Sequence, residues 1–282
     1  MIEINNKVLS DVATGFSIPA KPAILQALQE ELQAEPELFR VADIIAEDVA
    51  TSAAVLKIMN SPFYGLSRTI SDIRQAVMFL GLENITSLVT GYLLKQAYDQ
   101  SACKVSLSQF WDNANDIANV SCVIARHLKS PLPPENVHLL GLFHDAGIPA
   151  MAIRFDDYYD LLQAHKENDT TPLFTKEENK YSTNHAIVGY YLASSWHLPK
   201  PICQMILQHH CNDFFGAISD DFERRCFACL RLAENFVHVA RKFRPEPQWQ
   251  AIEQDVLDIL QLDEDDFQDL KDDVEDYLIS SH

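Results

Sequence analysis

From Pro19 to Leu278 the sequence keeps one rhythm, with apolar residues recurring three and four positions apart, and that rhythm restricts the fold before any motif is read. Ile44, Ile45 and Val49 follow it, as do Val55, Leu56 and Met59, then Trp111, Ile117, Val120 and Ile124. A strand alternates with a period of two, whereas this spacing lines one face of a helix. Each segment therefore has one apolar stripe that must be buried against another helix. Eight glycines in 282 residues is a low count and argues further against a turn-rich β sandwich. The expected fold class is all-α.

Prolines punctuate the pattern. "NSPFYGLSRT" breaks it at Pro62 and Gly65, "KSPLPPEN" holds three prolines, and "RPEPQWQ" resembles a linker. The first string of helices ends near Tyr98, a second block begins near Ser106, and the linker-like stretch closes it, so the chain is read as an N-terminal helical lobe over 1–104, a second helical domain over 105–245 and a C-terminal tail over 246–282. Phe267, Leu270, Val274 and Leu278 keep helical spacing within the tail, which makes it a helix rather than a disordered acidic run. Either it packs by one edge or it docks a basic partner.

The net charge is −19, of which residues 253–276 supply −11. Such a surface repels phosphate backbones, so nucleic acid is not an expected partner. The first residues show no basic segment followed by an apolar one, and no run of about 18 apolar residues is apparent. No membrane partner is therefore expected, and the expected location is cytoplasmic. Six cysteines in a chain of this length do not form a disulfide framework, and Cys226 and Cys229 fall in a helical pattern without a second pair at zinc spacing.

One class of residue breaks the apolar faces. His144, Asp145, His185, His209, His210 and Glu234 all lie in the second domain where periodicity points toward the core, and all are metal-ligand types. Neighbours on a helix point about 100° apart, so His209 and His210 can serve two positions around one pocket. Imidazole nitrogen mixed with carboxylate oxygen suits one divalent transition ion, Fe, Mn or Zn. The same set could instead be a polar cluster whose members hydrogen-bond to one another.

The order of these residues resembles that of the HD superfamily of helical metal-dependent phosphohydrolases, and one branch of it more closely. "IMNSPFYGLSRTISDIRQAVMFLGLENI" is similar to the signature of the HDOD (HD-related output domain) family, and "FWDNANDIA", "GLFHDAGI", "NHAIVGYYLASSWHLPKPICQMILQHH" and "RLAENFVHVA" follow in the family's order. The resemblance runs from about Pro19 to Phe243 and leaves the acidic tail outside. It implies a two-lobed helical module in which 1–104 is the N-terminal lobe, packed on an HD-like domain over 105–245. It also implies a metal site in which an ion activates water for attack on phosphorus, with Asp145 the catalytic candidate in an active member.

Several positions depart from that pattern. Where the resemblance expects "FW-x-H-S", the chain has Phe110-Trp111-Asp112-Asn113-Ala114, so Asn113 stands at a ligand histidine's place. An amide oxygen is a poor substitute for imidazole on a transition metal; Asp116, three residues on, is the candidate to compensate. Ile148 stands where catalytic relatives carry a lysine, and Glu234 replaces the closing aspartate. The resemblance therefore implies a bacterial signal-transduction output or adaptor module with a degenerate metal site, standing alone and contacting a signalling protein. The loop around Asn60, Phe63 and Tyr64 and the groove between the lobes are its candidate contact surfaces. A nucleotide is a possible ligand. The alternative is a phosphohydrolase acting on a nucleotide or another phosphoester, with Arg126, Arg154, Lys180, Lys200 and Arg231 as the cations available to position it.

Overall fold

A computed structural model describes residues 15–16, 21–33, 36–61, 64, 66–166, 171–211 and 214–280. Every regular element among the described residues is helical, as the apolar rhythm requires. The chain separates into two compact units, Pro19–Tyr98 and Asp99–His282 with Met1–Ile18. Each has its own core.

The smaller unit contains α1 (Ala23–Gln33), α2 (Leu38–Ala46), α3 (Val49–Met59) and α4 (Ile73–Gln96). Carboxylates start two of these helices: Asp48 accepts from the Thr51 amide at 2.6 Å and Asp72 from the Arg74 amide at 2.9 Å. Each satisfies a donor that a helix's first turn leaves without a partner. Leu25, Leu28, Val41, Ile45, Val55, Met59, Val77 and Ile85 are fully buried. Gly81 breaks α4, with φ 76° and ψ 173°, a conformation open to glycine and costly to other residues. Helix α4 is long and apolar enough by composition to cross a membrane. Its break at Gly81 and the burial of Val77, Ile85, Val89 and Leu94 instead mark it as the core helix of this unit.

The larger unit runs through α5 (Leu107–His127), α6 (Pro134–Phe143), α7 (Gly147–Arg154), α8 (Tyr158–Lys166), α9 (Leu173–Tyr181), α10 (His185–Ser195), α11 (Lys200–Gln208) and α12 (Phe214–Ala217), then α13 (Asp221–Lys242), α14 (Trp249–Leu260) and α15 (Glu264–Ser280). Helices α5, α6 and α13 pack on one another, α11 joins them, and α10 lies against α7 and α11. A methyl group on Gly141 would lie 2.7 Å from the Ala118 Cα, so the close approach of α6 to α5 depends on glycine there.

The acidic tail belongs to this unit. Phe267 of α15 stacks on Phe236 of α13 with ring centroids 5.6 Å apart, and Leu270, Val274 and Leu278 are buried. Ion pairs from Asp273 to His127 (2.6 Å) and from Asp266 to Lys129 (3.0 Å) run along one side of that seam. Cys226 and Cys229 are fully buried and free, and burial pushes both thiols up, Cys226 to about 12 and Cys229 well above its usual value. They are inert core residues.

Candidate metal centre

Three chain segments meet at one point of the larger unit. Helix α6 ends at Phe143, and His144 keeps helical angles with its amide on the Leu140 carbonyl at 2.9 Å. The chain then turns through Asp145 and Ala146 into α7, which begins at Gly147. A methyl group on Gly147 would lie 2.0 Å from the His185 carbonyl oxygen, so the corner presses directly on the first turn of α10. His185 is the first residue of α10, capped by Asn184, whose side chain accepts from the Ile187 amide at 2.9 Å. His209 and His210 follow directly after α11. The ends of three helices, rather than their faces, present the polar residues.

Asp145, His185, His209 and His210 form the tight set, with one potential ligand atom from each lying within 4.8 Å of all the others. Asp145 Oδ1 is 3.3 Å from His185 Nε2 and 3.2 Å from His209 Nε2. His185 Nε2 and His210 Nε2 are 2.8 Å apart. His144 stands at the edge of the set, with its Nε2 3.3 Å from Asp145 Oδ2 and 3.4 Å from Glu234 Oε1. It is buried, and no hydrogen bond of acceptable geometry satisfies that nitrogen. His144 and His209 donate their other ring nitrogen, Nδ1, to the carbonyls of Gly141 (2.8 Å) and Ile206 (2.7 Å), three residues back in each case. This leaves Nε2 facing the centre, the arrangement of metal-bound imidazoles whose other nitrogen is anchored.

Electrostatics fit a cation. Burial works against a charged His144, but the charge of the nearby Asp145 carboxylate, with Glu234 behind, holds its pKa up at about 9. Burial likewise opposes charge on His185, and Glu177 with Asp145 overcomes it, giving about 10. Burial would raise Asp145, yet His144, His185 and His209 draw it well below the usual carboxylate range. His209 and His210 are lowered, first by burial; the neighbouring histidines add to this. Without an ion, protons supply the positive charge that this carboxylate demands. A divalent ion can replace them, because ligand imidazoles must be neutral at the coordinating nitrogen. The donor set therefore fits one transition ion, with Asp145, His185, His209 and His210 as its holders.

Of the residues expected from sequence, His144, Asp145, His185, His209 and His210 come together. Glu234 reaches the centre only through His144, because Arg231 holds its other oxygen at 2.7 Å. Arg231 is itself buried and also faces Glu246 Oε2 at 3.4 Å and Gln248 Oε1 at 3.3 Å. Asn113 is half-buried on α5 and supplies none of these contacts. Asp116 pairs with the guanidinium of Arg241, and Lys180 with Asp157. Asn60 binds Ile70 on both its amide and carbonyl, each at 2.7 Å, and Tyr64 meets Phe79 edge to face. Phe63 lies outside the described residues.

Sequence reasoning missed Glu177 and Tyr158. Glu177 is completely buried and accepts from the Tyr158 hydroxyl, from the His185 amide at 3.0 Å and from His185 Nδ1 at 2.6 Å. Burial and the Glu177 charge push the Tyr158 phenol well above its usual value, so it stays a neutral donor. The available signal was a carboxylate eight residues ahead of a candidate histidine, which is too common to stand out.

A family model, the HDOD domain, matches residues 18–212. A protein from Treponema pallidum (strain Nichols) is 24% identical over 198 residues, covering 68% of this chain and 37% of that protein. The chain thus spans little more than a third of that relative's length. Among solved structures, an HDOD domain protein with unknown function from Geobacter sulfurreducens is 24% identical with a TM-score of 0.63, covering 95% of this chain and 96% of that one. A candidate signal-transduction protein from Marinobacter aquaeolei VT8 is 18% identical with a TM-score of 0.66, covering 99% of this chain and 61% of that one. The structural likenesses establish the fold.

Proposed function

The chain belongs to the HDOD family, and from that premise we propose that it is a signal-transduction module whose larger unit holds one divalent transition-metal ion and does not turn over a substrate. The observation that carries the metal reading is the convergence of the Asp145 carboxylate with the Nε2 atoms of His185, His209 and His210. Three imidazoles and a carboxylate suit Fe, Mn or Zn. The ion orders the ends of α6, α10 and α11, and a signalling protein reads that ordered surface.

Three features support binding without turnover. Asn113 stands where the resemblance implies an imidazole, Ile148 where it implies a lysine in catalytic members, and Arg231 already pairs with Glu234. A second reading, hydrolysis of a nucleotide or other phosphoester, rests on Arg231, a buried cation two residues' reach from the cluster through Glu234.

The test is metal analysis of protein purified without added metal, followed by assays of generic phosphoesters and cyclic dinucleotides with manganese and iron. About one ion per chain, lost in Asp145→Ala and His209→Ala, with no turnover, upholds the module. Hydrolysis abolished by His144→Ala and Asp145→Ala establishes the enzyme instead. Protein that takes up no ion under any condition removes the metal reading.

A further inference from the structure

His185 differs from the other anchored histidines in one respect. His144 and His209 find an acceptor for Nδ1 three residues back, on the carbonyl their own helix supplies. His185 opens α10, so no preceding turn of that helix offers such a carbonyl, and three residues back lies Ser182, in the left-handed region with φ 58°. The acceptor must come from elsewhere. Glu177 provides it from α9, a nine-residue helix whose single fully buried residue is this glutamate.

Burying a carboxylate is costly unless its oxygens are satisfied. Here Oε1 takes the Tyr158 hydroxyl and Oε2 takes both the amide and Nδ1 of His185. Two donors from the same residue fix the position of the backbone and the plane of the ring together. We propose that Glu177, clamped by Tyr158, is the positioning residue of the centre, holding the proton on His185 Nδ1 and aiming Nε2 at the ion. The proposal rests on the reading of the cluster as a metal site. A carboxylate behind a ligand imidazole also strengthens it as a donor, beyond what a carbonyl does.

The experiment compares the full-length protein with Glu177→Gln, which keeps the volume and an acceptor oxygen but removes the charge, with Glu177→Ala and with Tyr158→Phe. Zinc and manganese affinities are measured by calorimetry, and the ring protons of 15N-histidine-labelled, metal-free protein by long-range proton–nitrogen NMR. The expected result is a roughly 10- to 100-fold loss of affinity in Glu177→Gln with circular dichroism unchanged, and a smaller loss in Tyr158→Phe. A slowly exchanging, strongly downfield His185 Nδ1 proton is expected in the wild type and not in Glu177→Ala. Unchanged affinity in every folded variant overturns the proposal. If the wild type takes up no ion, the metal reading fails separately and NMR alone decides: a His185 Nδ1 proton lost in Glu177→Ala upholds the positioning role, and identical spectra overturn it.

Discussion

Gly147→Ala is the sharpest test of how the centre is assembled. The added carbon would sit 2.0 Å from the His185 carbonyl oxygen, 2.7 Å from the Gly189 nitrogen and 2.8 Å from the His185 carbonyl carbon. All three are backbone atoms of α10, so no side chain can rotate away. Non-bonded carbons settle at about 3.5–4.0 Å, so the 2.8 Å contact alone forces α7 and α10 apart by roughly 1 Å and the 2.0 Å contact by more. Overpacking of this kind costs about 1–3 kcal/mol, and at about 2–4 °C per kcal/mol the melting temperature falls by about 2–12 °C. The same displacement carries Asp145 away from His185, now 3.3 Å distant, and so weakens ion binding as well. Gly189→Ala is the control. Its carbon meets an Ile206 methyl at 3.2 Å and the Gly147 nitrogen at 3.3 Å, where small adjustments suffice. Scanning calorimetry with and without Mn2+ reads both effects. A Gly147→Ala protein that melts within a degree of wild type and binds Mn2+ equally well would refute the claim that this contact sets the centre.

Arg231→Met leaves Glu234 and Glu246 without their cation and is expected to cost about 3–5 kcal/mol by urea unfolding, with much of the loss recovered when Glu234→Gln is added. In chelator, the folded pKa values of His144 (about 9) and His185 (about 10) lie above the unfolded value near 6.5. The stability these two groups contribute is therefore complete below pH ~6.5 and lost as pH rises through about 9–10. His209 and His210 are lowered and act oppositely, removing stability as pH falls below ~6.5; melting curves from pH 5 to 10.5 check both limbs. Leu270→Ala, in the fully buried seam of α15, is expected to destabilise by about 2–5 kcal/mol in denaturant titration. Asn60→Ala strands the amide and carbonyl of Ile70 and is expected to cost about 1–3 kcal/mol, seen as early exchange of the smaller unit's amides.

Most of the fold was legible because its signals are local. The apolar rhythm marked the helices, and Gly81 separates "ISDIRQAVMFLG" from "LENITSLVTGYLLKQA" where the pattern breaks. His144, Asp145, His185, His209 and His210, which the structure brings together, stand out in the sequence because they violate that rhythm, placing charge and imidazole where apolar side chains belong. Glu177 violates nothing locally: "LFTKEENKY" is polar throughout, and which of its acids is buried depends on what α9 packs against. Asp116 was open to reading as a substitute ligand because its partner, Arg241, lies 125 residues away in sequence. The Arg231–Glu234 pair was within reach, since residues three apart on a helix are neighbours. Reading Glu234 only as a closing ligand concealed it.

The two oxygens of Asp145 face different partners, and that difference bears on the proposed ion. Oδ2 faces His144, behind which stand Glu234 and its guanidinium partner; Oδ1 faces His185 and His209, with His210 beyond. On the Oδ2 side lies the departure at Glu234. Arginine is always charged, so Arg231 both neutralises Glu234 and repels a second cation brought to it. On the Oδ1 side, the 2.8 Å between two Nε2 atoms is itself a demand. Two bare lone pairs cannot face each other at that separation, so a proton or an ion must lie near them. The proposed ion answers that demand with the donors that lie together there, Asp145, His185, His209 and His210.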